Sequence, residues 1–373
     1  MLSKVKSLLR PIAQRMRPKY RITQPHFPAV SPKFTKPLLV VCGPGFNQSL
    51  QVAGTMMRVG FARGWAETVG PARLVAANKL IQTLDEYESP AVFTSTFDFT
   101  DHPFTDVDLK RLRSVDLFVW AGMHPRGLPK YQRLAPLVNE DEVQRMTMAY
   151  SRVVAAEPKF VWEAWGSTGA EWTDGWRADG FAFETIWPAA DIQRYFPDPA
   201  PEKYGHVKMA YVGGYWADKA RGLDLYLKPW EDILHTYGYS RWPYKHYSGG
   251  LTETEERQLY SSAGLLPLVT GPAGWLIAEI TERYLKAPAC GAFCISDQNP
   301  ALREVYSEDE MLQAKDAEQF HVMVREFLAG KIDVKSWARR GYDAVRARHL
   351  YSHRALQVKA ALERIRNGSR VST

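Results

Sequence analysis

Four groups of residues in this 373-residue sequence are of types that do chemistry on a charged, oxygen-rich ligand. The first is glycine placed directly after a strand: Gly43 and Gly45 follow Leu38–Cys42, and Gly213 and Gly214 follow Val207–Val212. Without a Cβ such turns bring backbone N–H groups close to a phosphate or sugar, and a following helix adds its free N–H groups. A plain tight turn has the same composition, so both readings stand. The second group is titratable residues at strand ends. His124 lies between Gly122 and Gly127, and Glu163 lies in Trp162-Glu-Ala-Trp165. His124 is of a type to act as a base toward an acceptor hydroxyl or to hydrogen-bond a sugar, or else it is a turn histidine with its ring in solvent. Glu163 is a candidate at a second strand end, and Asp101-His102 is a weaker pair of the same kind. The third is the aromatic, basic, glycine-ended loop Trp242–Gly250, with Lys245, Tyr247, Gly249 and Gly250. The fourth is Glu279, Glu282, Arg283 and Lys286. Glu279–Arg283 and Glu282–Lys286 are spaced i,i+4 with the acid first, which as an exposed face contributes a few tenths of a kcal/mol per pair.

The fourth group belongs to a predicted helix, turn and strand. Leu276, Ile277, Ile280, Tyr284 and Ala287 recur on one helical face, Pro288 stops the helix, Gly291 reverses the chain, and Ala292–Ser296 reads as a buried strand. Upstream, apolar runs at 38–42, 91–94, 115–121, 160–164 and 181–187 read as strands. Helical patterns over 47–64, 71–86, 106–113 and 139–156 lie between them. That alternation predicts a parallel sheet covered on both faces, with ligands beyond the strand C-termini. Pro188, Pro197, Pro199 and Pro201 mark a linker. Strands at 207–212 and 265–269 follow, with Thr252 and Glu255 as a capping box before a helix, and helices over 316–328 and 335–348.

The totals bound the answer. The chain is long enough for two cores, and 45% hydrophobic with 24% charged residues is the composition of a folded water-soluble protein. The 12 Trp and 18 Tyr suit carbohydrate or base stacking as well as core packing. Three cysteines, Cys42, Cys290 and Cys294, form no paired framework and no zinc-knuckle spacing; they read as buried apolar residues of a reducing compartment, and no metal site is expected. The net charge of +7 is uneven, with nine Lys/Arg and no acid in residues 1–36, and nine Lys/Arg against two acids in 337–373, around a middle of net −9. An acidic body with basic ends argues against nucleic-acid binding. Residues 1–20 read as a basic amphipathic helix for an anionic membrane surface, or as a basic tail.

The run Arg283 … Ala287-Pro-Ala289-Cys290-Gly291 resembles the donor-domain signature of GT-B glycosyltransferases, closest to the CgeB-like, spore-maturation-type group, related to glycosyltransferase families 1 and 4. His349, Tyr351 and Arg354 fall in register with that family's closing motif. The resemblance covers about residues 185–360; Lys286 stands where the family usually has glutamate. It implies an α/β GT-B fold: two Rossmann-like domains with parallel sheets facing across a cleft, and a C-terminal helix crossing back to the first domain. The implied division is a basic arm (1–36), an acceptor domain (37–188), a linker (189–204), a donor domain (205–340) and the crossover helix (341–365). It also implies that Gly213, Gly214, Tyr247, Gly249, Gly250, Glu282, Arg283 and Lys286 converge on a nucleotide diphosphate-sugar. Lys245 adds positive charge, and Glu279 or Glu282 takes the vacant acid's place. Arg283 and Lys286 are of the charge to offset a departing diphosphate without a metal. Gly43, Gly45, His124 and Glu163 fall on the acceptor side.

The expected function is therefore metal-independent hexosyl transfer to a glycan, a lipid-linked or envelope polysaccharide, or a protein. The donor is a nucleotide diphosphate-sugar and no cofactor is required. The protein is expected in the cytoplasm, and peripheral at the inner face of the membrane if the basic N-terminal helix binds there. A non-catalytic GT-B-shaped binding protein in an envelope or glycan assembly complex is the alternative, and the Lys286 departure is its support. A Rossmann oxidoreductase or epimerase lacks its G-x-G-x-x-G here. Whether the anomeric centre is retained does not follow; if it is, no dedicated base is needed and His124 loses its purpose.

Overall fold

A computed structural model of the chain describes residues 36–43, 53–134 and 140–368. Gly45, the basic segment 1–20 and most of the N-terminal arm lie outside the described residues.

The first half is one parallel sheet of six strands: β1 (Leu38–Val41), β2 (Ala72–Val75), β3 (Ala91–Ser95), β4 (Asp116–Trp120), β5 (Phe160–Glu163) and β6 (Phe183–Thr185), in the order β2-β1-β3-β4-β5-β6. Its strands are near-continuous apolar runs because both faces are covered. Leu38 and Val40 pack toward the helices Ala53–Thr68 and Tyr351–Arg366, while Leu39 and Val41 pack on the opposite face with Leu109, Leu112 and Val153. The sequence reading took 71–86 as one helix. In fact Ala72-Arg-Leu-Val is the edge strand β2, and only Leu80–Leu84 is α-helical. Leu74 and Val75 are both buried, and the four-residue strand is too short to separate by periodicity from the helix that follows.

In the second half β7 (Met209–Val212), β8 (Leu234–Tyr237) and β9 (His246–Tyr247) pair in parallel, as do β10 (Leu266–Leu268), β11 (Cys294–Ser296) and β12 (Leu312–Gln313). A bridge between Met209 and Leu265 joins the two sets. The order β9-β8-β7-β10-β11-β12 reverses direction at β7/β10, which is where doubly wound sheets open a crevice for a ligand.

The helix expected over 276–287 is two short helices. Pro272–Leu276 ends at Ala278, whose φ of 54° a non-glycine residue rarely adopts, and Arg283–Ala289 follows. Pro288 lies inside the second helix rather than ending it. Its missing N–H leaves the Tyr284 carbonyl without the usual partner, and the Tyr306 hydroxyl donates to that carbonyl at 2.7 Å. Gly291, at φ 78°, makes the expected reversal into β11.

The closing helix Tyr351–Arg366 returns to the first sheet. A Cβ on Gly60 would fall inside the Tyr351 ring, and one on Gly64 would meet the Tyr351 and Ser352 backbone. Gln357 donates to the Thr185 carbonyl at 2.8 Å, and Arg364 pairs with Glu184 at 2.6 Å. The expected outcome of Gly64→Ala is therefore loss of about 1–3 kcal/mol, although alanine is the better helix former. Gly70→Ala, with nothing within 4 Å of its Cβ, is expected to stay within ~0.5 kcal/mol of the parent in urea melts.

Candidate functional site

The glycine-bearing loops of the second sheet meet at its strand ends. Gly213, directly after β7, donates its N–H to the Tyr237 carbonyl at 2.8 Å and accepts from the Trp242 indole at 2.9 Å. Gly238, after β8, lies so close that a Cβ there would strike the Gly213 carbonyl, and its N–H donates to the Gly249 carbonyl at 2.8 Å. The Tyr247 hydroxyl donates to the Gly238 carbonyl at 2.8 Å. Gly213, Tyr247 and Gly249 are therefore brought together, while Gly250 packs under the Tyr239 ring.

Arg283 comes to the same place from its helix. Its guanidinium donates to the Tyr211 hydroxyl at 2.7 Å and lies 4.3 Å from the centre of that ring. A Cβ on Gly213 would be 2.5 Å from Arg283 Nη2, so glycine is what admits the cation. Arg283 Nε and the Thr281 hydroxyl are buried with no hydrogen-bond partner among the described residues. Both donors are open to a polar partner that enters there. Sequence reasoning missed two neighbours. Trp216 is 49% exposed and folds over Gly214. Lys219 is half-buried on the next helix with its backbone against Gly271, and among the described residues no ion pair is recorded for it. The signal for both was the aromatic-then-basic run straight after the glycine pair.

The loop between the two short helices is held from behind by Asp297. Its carboxylate accepts from the Thr270 N–H at 2.8 Å, the Trp275 indole at 2.7 Å and the Tyr284 hydroxyl at 3.0 Å. Asn299 donates to the Glu279 carbonyl at 2.6 Å. Glu279 follows the strained Ala278, and its carboxylate acts electrostatically on Glu163 in the first half and on Glu282.

Glu163 ends β5 on the wall of the first sheet. The Trp120 indole donates to its Oε1 at 3.0 Å and the Ala164 N–H to the same oxygen at 2.8 Å. Burial pushes its pKa from the ordinary 4.5 up to about 8 against those bonds, and the Glu279 charge adds to the rise. Burial also raises Glu282, against the nearby Lys286 and Arg283 charges. The two halves touch on both sides of this pair. The Trp172 indole donates to the Leu276 carbonyl at 2.9 Å, and the Glu304 carboxylate accepts from Ser167 and Thr168 at 2.9–3.1 Å.

Four expected site residues are engaged elsewhere. The His124 ring is buried, its Nδ1 accepts from the Arg126 N–H at 3.2 Å and its Nε2 lies 3.0 Å from Asp179, which also takes Arg126 and Tyr150. With both nitrogens engaged, His124 caps the short helix Pro125–Gly127 and offers no base to a ligand. Lys286 does not pair with Glu282. It forms a buried ion pair with Glu256 at 2.5 Å, and the Tyr195 and Tyr260 hydroxyls donate to the same carboxylate. Lys245 is exposed and paired with Asp232 away from the crevice. The Gly43 N–H is taken by Asp98 at 3.2 Å, which makes it a turn with φ 66°. The three cysteines are free and buried.

Residues 219–360 match the family model described as glycosyl transferase-like. The second half therefore carries a glycosyl transferase-like domain. Among curated proteins no sequence matches. Among solved structures the chain is similar to sucrose-phosphate synthase from Thermosynechococcus elongatus, at TM-score 0.57 and 13% identity, over 90% of this chain and 100% of that one. It is also similar to Anabaena HepE in complex with UDP-glucose, at 0.56 and 10%, and to T4 phage BGT in complex with its UDP-glucose substrate, at 0.54 and 11%. Each of these two covers 88% of this chain and 99% of its own. The fold is GT-B.

Glu163 thus ends a strand of the first sheet, and Arg283 stands at the strand ends of the second. No helix among the described residues is long and apolar enough to cross a membrane.

The raised Glu163 pKa has a consequence for stability. The folded protein holds a proton there that the unfolded chain releases, so this group's contribution is full below pH ~4.5 and is lost as pH rises toward 8. Glu163→Gln is expected to flatten the decline of unfolding free energy between pH 5 and 8, by at most ~1.4 kcal/mol per pH unit. An unchanged slope in urea melts across that range would show that Glu163 titrates normally.

Proposed function

We propose that the protein is a glycosyltransferase that moves a hexosyl group from a nucleotide diphosphate-sugar to an acceptor hydroxyl. On this reading the second sheet is the donor domain and the first sheet the acceptor domain. The observation that carries it is Arg283, with an unmet buried N–H, seated against Gly213 at the strand ends of the second sheet. The glycosyl transferase-like match over 219–360 and the GT-B fold support the same reading. HepE and T4 phage BGT are both solved with UDP-glucose, which favours a UDP-sugar as donor.

The chemistry divides between the walls. As the anomeric C–O bond to the diphosphate breaks, negative charge grows on the leaving oxygen. On this reading Arg283, Lys219 and the N–H groups of Gly214 and Trp216 stabilise it. Trp216 offers a face to the nucleotide. On the other wall the acceptor oxygen attacks the anomeric carbon and its proton passes to the ionised form of Glu163, a minority below its pKa of about 8, so transfer is expected to quicken as pH rises toward 8. On this reading Glu279 or Glu282 hydrogen-bonds donor hydroxyls, and Lys286 acts at a distance by holding Glu256. No cofactor enters, and leaving-group charge is offset by side chains rather than a metal. The acceptor, on this reading, is a glycan, lipid-linked or envelope component met in the cytoplasm.

The test is thermal stabilisation by UDP, GDP, CDP, ADP and dTDP, each with magnesium and with chelator. One diphosphate at ~100 times its Kd is expected to add about 2.7 kcal/mol in both conditions, and Arg283→Ala to abolish that gain. No gain with any of them at millimolar concentration would favour a binding protein that has lost the donor site.

A further inference from the structure

We infer that the acceptor is an uncharged pyranose ring, seated on Phe97 and Trp120 with one hydroxyl turned to Glu163; this rests on the glycosyltransferase reading. Phe97 is 60% exposed, the second residue of the short helix Thr96–Asp101 that begins directly after β3. That helix cannot swing: the Asp98 carboxylate accepts from the Ser95 N–H at 2.9 Å and pairs with buried Arg58 at 3.0 Å. A large apolar ring is therefore held outward at a strand C-terminus.

Trp120 lies beside it at the end of β4, half-buried, with ring centres 6.4 Å apart and planes at 73°. One face of Trp120 is stacked on the buried Trp162 at 5.7 Å and 14°. Its indole N–H is committed to Glu163 at 3.0 Å. The same side chain is thus both a ring face and the group that fixes the carboxyl. Two glycines stand beside it: a Cβ on Gly54 would come within 3.7 Å of the Trp120 ring, and one on Gly122 within 3.8 Å of the Thr96 hydroxyl. Aromatic rings carry negative faces, and the C–H face of a pyranose is weakly positive, so the two pack while the ring's equatorial hydroxyls point sideways. A hydroxyl directed along Trp120 toward its N–H arrives at Glu163.

Charge selects the class. Burial is the main cause of the rises in Glu163 and Glu282, and the Glu279 charge adds to both, so Glu279 would repel a further negative group there. A phosphorylated or nucleic-acid acceptor would bring its anions to those carboxyls. A neutral sugar brings none.

The inference is tested by saturation-transfer NMR on the full chain with the methyl glycosides of glucose, galactose and mannose, and with octyl glucoside, at saturating nucleotide diphosphate. Ring C–H protons of one pyranoside face are expected to take up saturation. Phe97→Ala is expected to reduce it about fivefold or more, Phe97→Tyr to retain it, and both variants to keep the nucleotide's thermal stabilisation. Saturation of no pyranoside, saturation unaffected by Phe97→Ala, or saturation confined to the octyl chain overturns the platform while the nucleotide gain stands. Absence of the nucleotide gain in the parent protein removes the glycosyltransferase reading instead, and the platform with it.

Discussion

The structure depends on the place where the chain crosses between its two sheets twice. The outward crossing, around Trp187–Asp191, and the return, around His349–Arg354, are bound to each other. Ala190 donates its N–H to the His349 carbonyl at 2.8 Å, and the Arg354 guanidinium donates to the carbonyls of Trp187 at 2.9 Å and Arg348 at 3.1 Å. Arg354 Nη2 lies 2.9 Å from His349 Nδ1, and His349 Nε2 lies 2.9 Å from the Val305 carbonyl. Burial and the Arg354 charge lower the His349 pKa to about 4, so the ring is neutral and accepts from arginine. A buried arginine satisfied mainly by carbonyls has directional partners on both crossings, which sets the angle between the halves more tightly than apolar packing alone.

Everything at the cleft inherits that angle. Glu163 and Arg283 come from different sheets, and neither has a neighbour in sequence that could place the other. Within the second half, buried Asp297 fixes the elements that flank Ala278, and the left-handed backbone at Ala278 is the local strain through which Glu279 is presented. Within the first half, Trp120 links the sheet's aromatic stack to the Glu163 carboxyl. Two rigid supports therefore face each other, joined at the crossing and held by Glu304 and Trp172 at the rim.

What the sequence revealed follows the range of the interactions. Thr252 and Glu255 were readable as a capping box because both partners lie within one turn, and the structure has that box. Doubly buried strands such as Leu38–Val41 were readable because an apolar run needs no partner to be recognised. The closing motif was readable only as a resemblance; its physical content, Arg354 reaching Trp187, spans most of the second half. His124 and Lys286 were misplaced for the same reason. Asp179 and Glu256, which claim them, lie on other elements, and a histidine after a strand or a lysine on a helix carries no mark of a distant acid. Lys286 thereby ceases to be an argument against a donor site, since its charge is used in the wall behind it.

The central claim is that a diphosphate lies against Arg283 and the loop that begins at Gly213. The most direct measurement is a crystal structure of the protein with whichever nucleoside diphosphate stabilises it most. Phosphate oxygens are expected within ~3 Å of the Arg283 guanidinium and of the Gly214 or Trp216 N–H, with the open end of the site facing Glu163. A nucleotide bound away from the strand ends of the second sheet, with Arg283 still committed only to Tyr211 and the Val269 carbonyl, would contradict that claim.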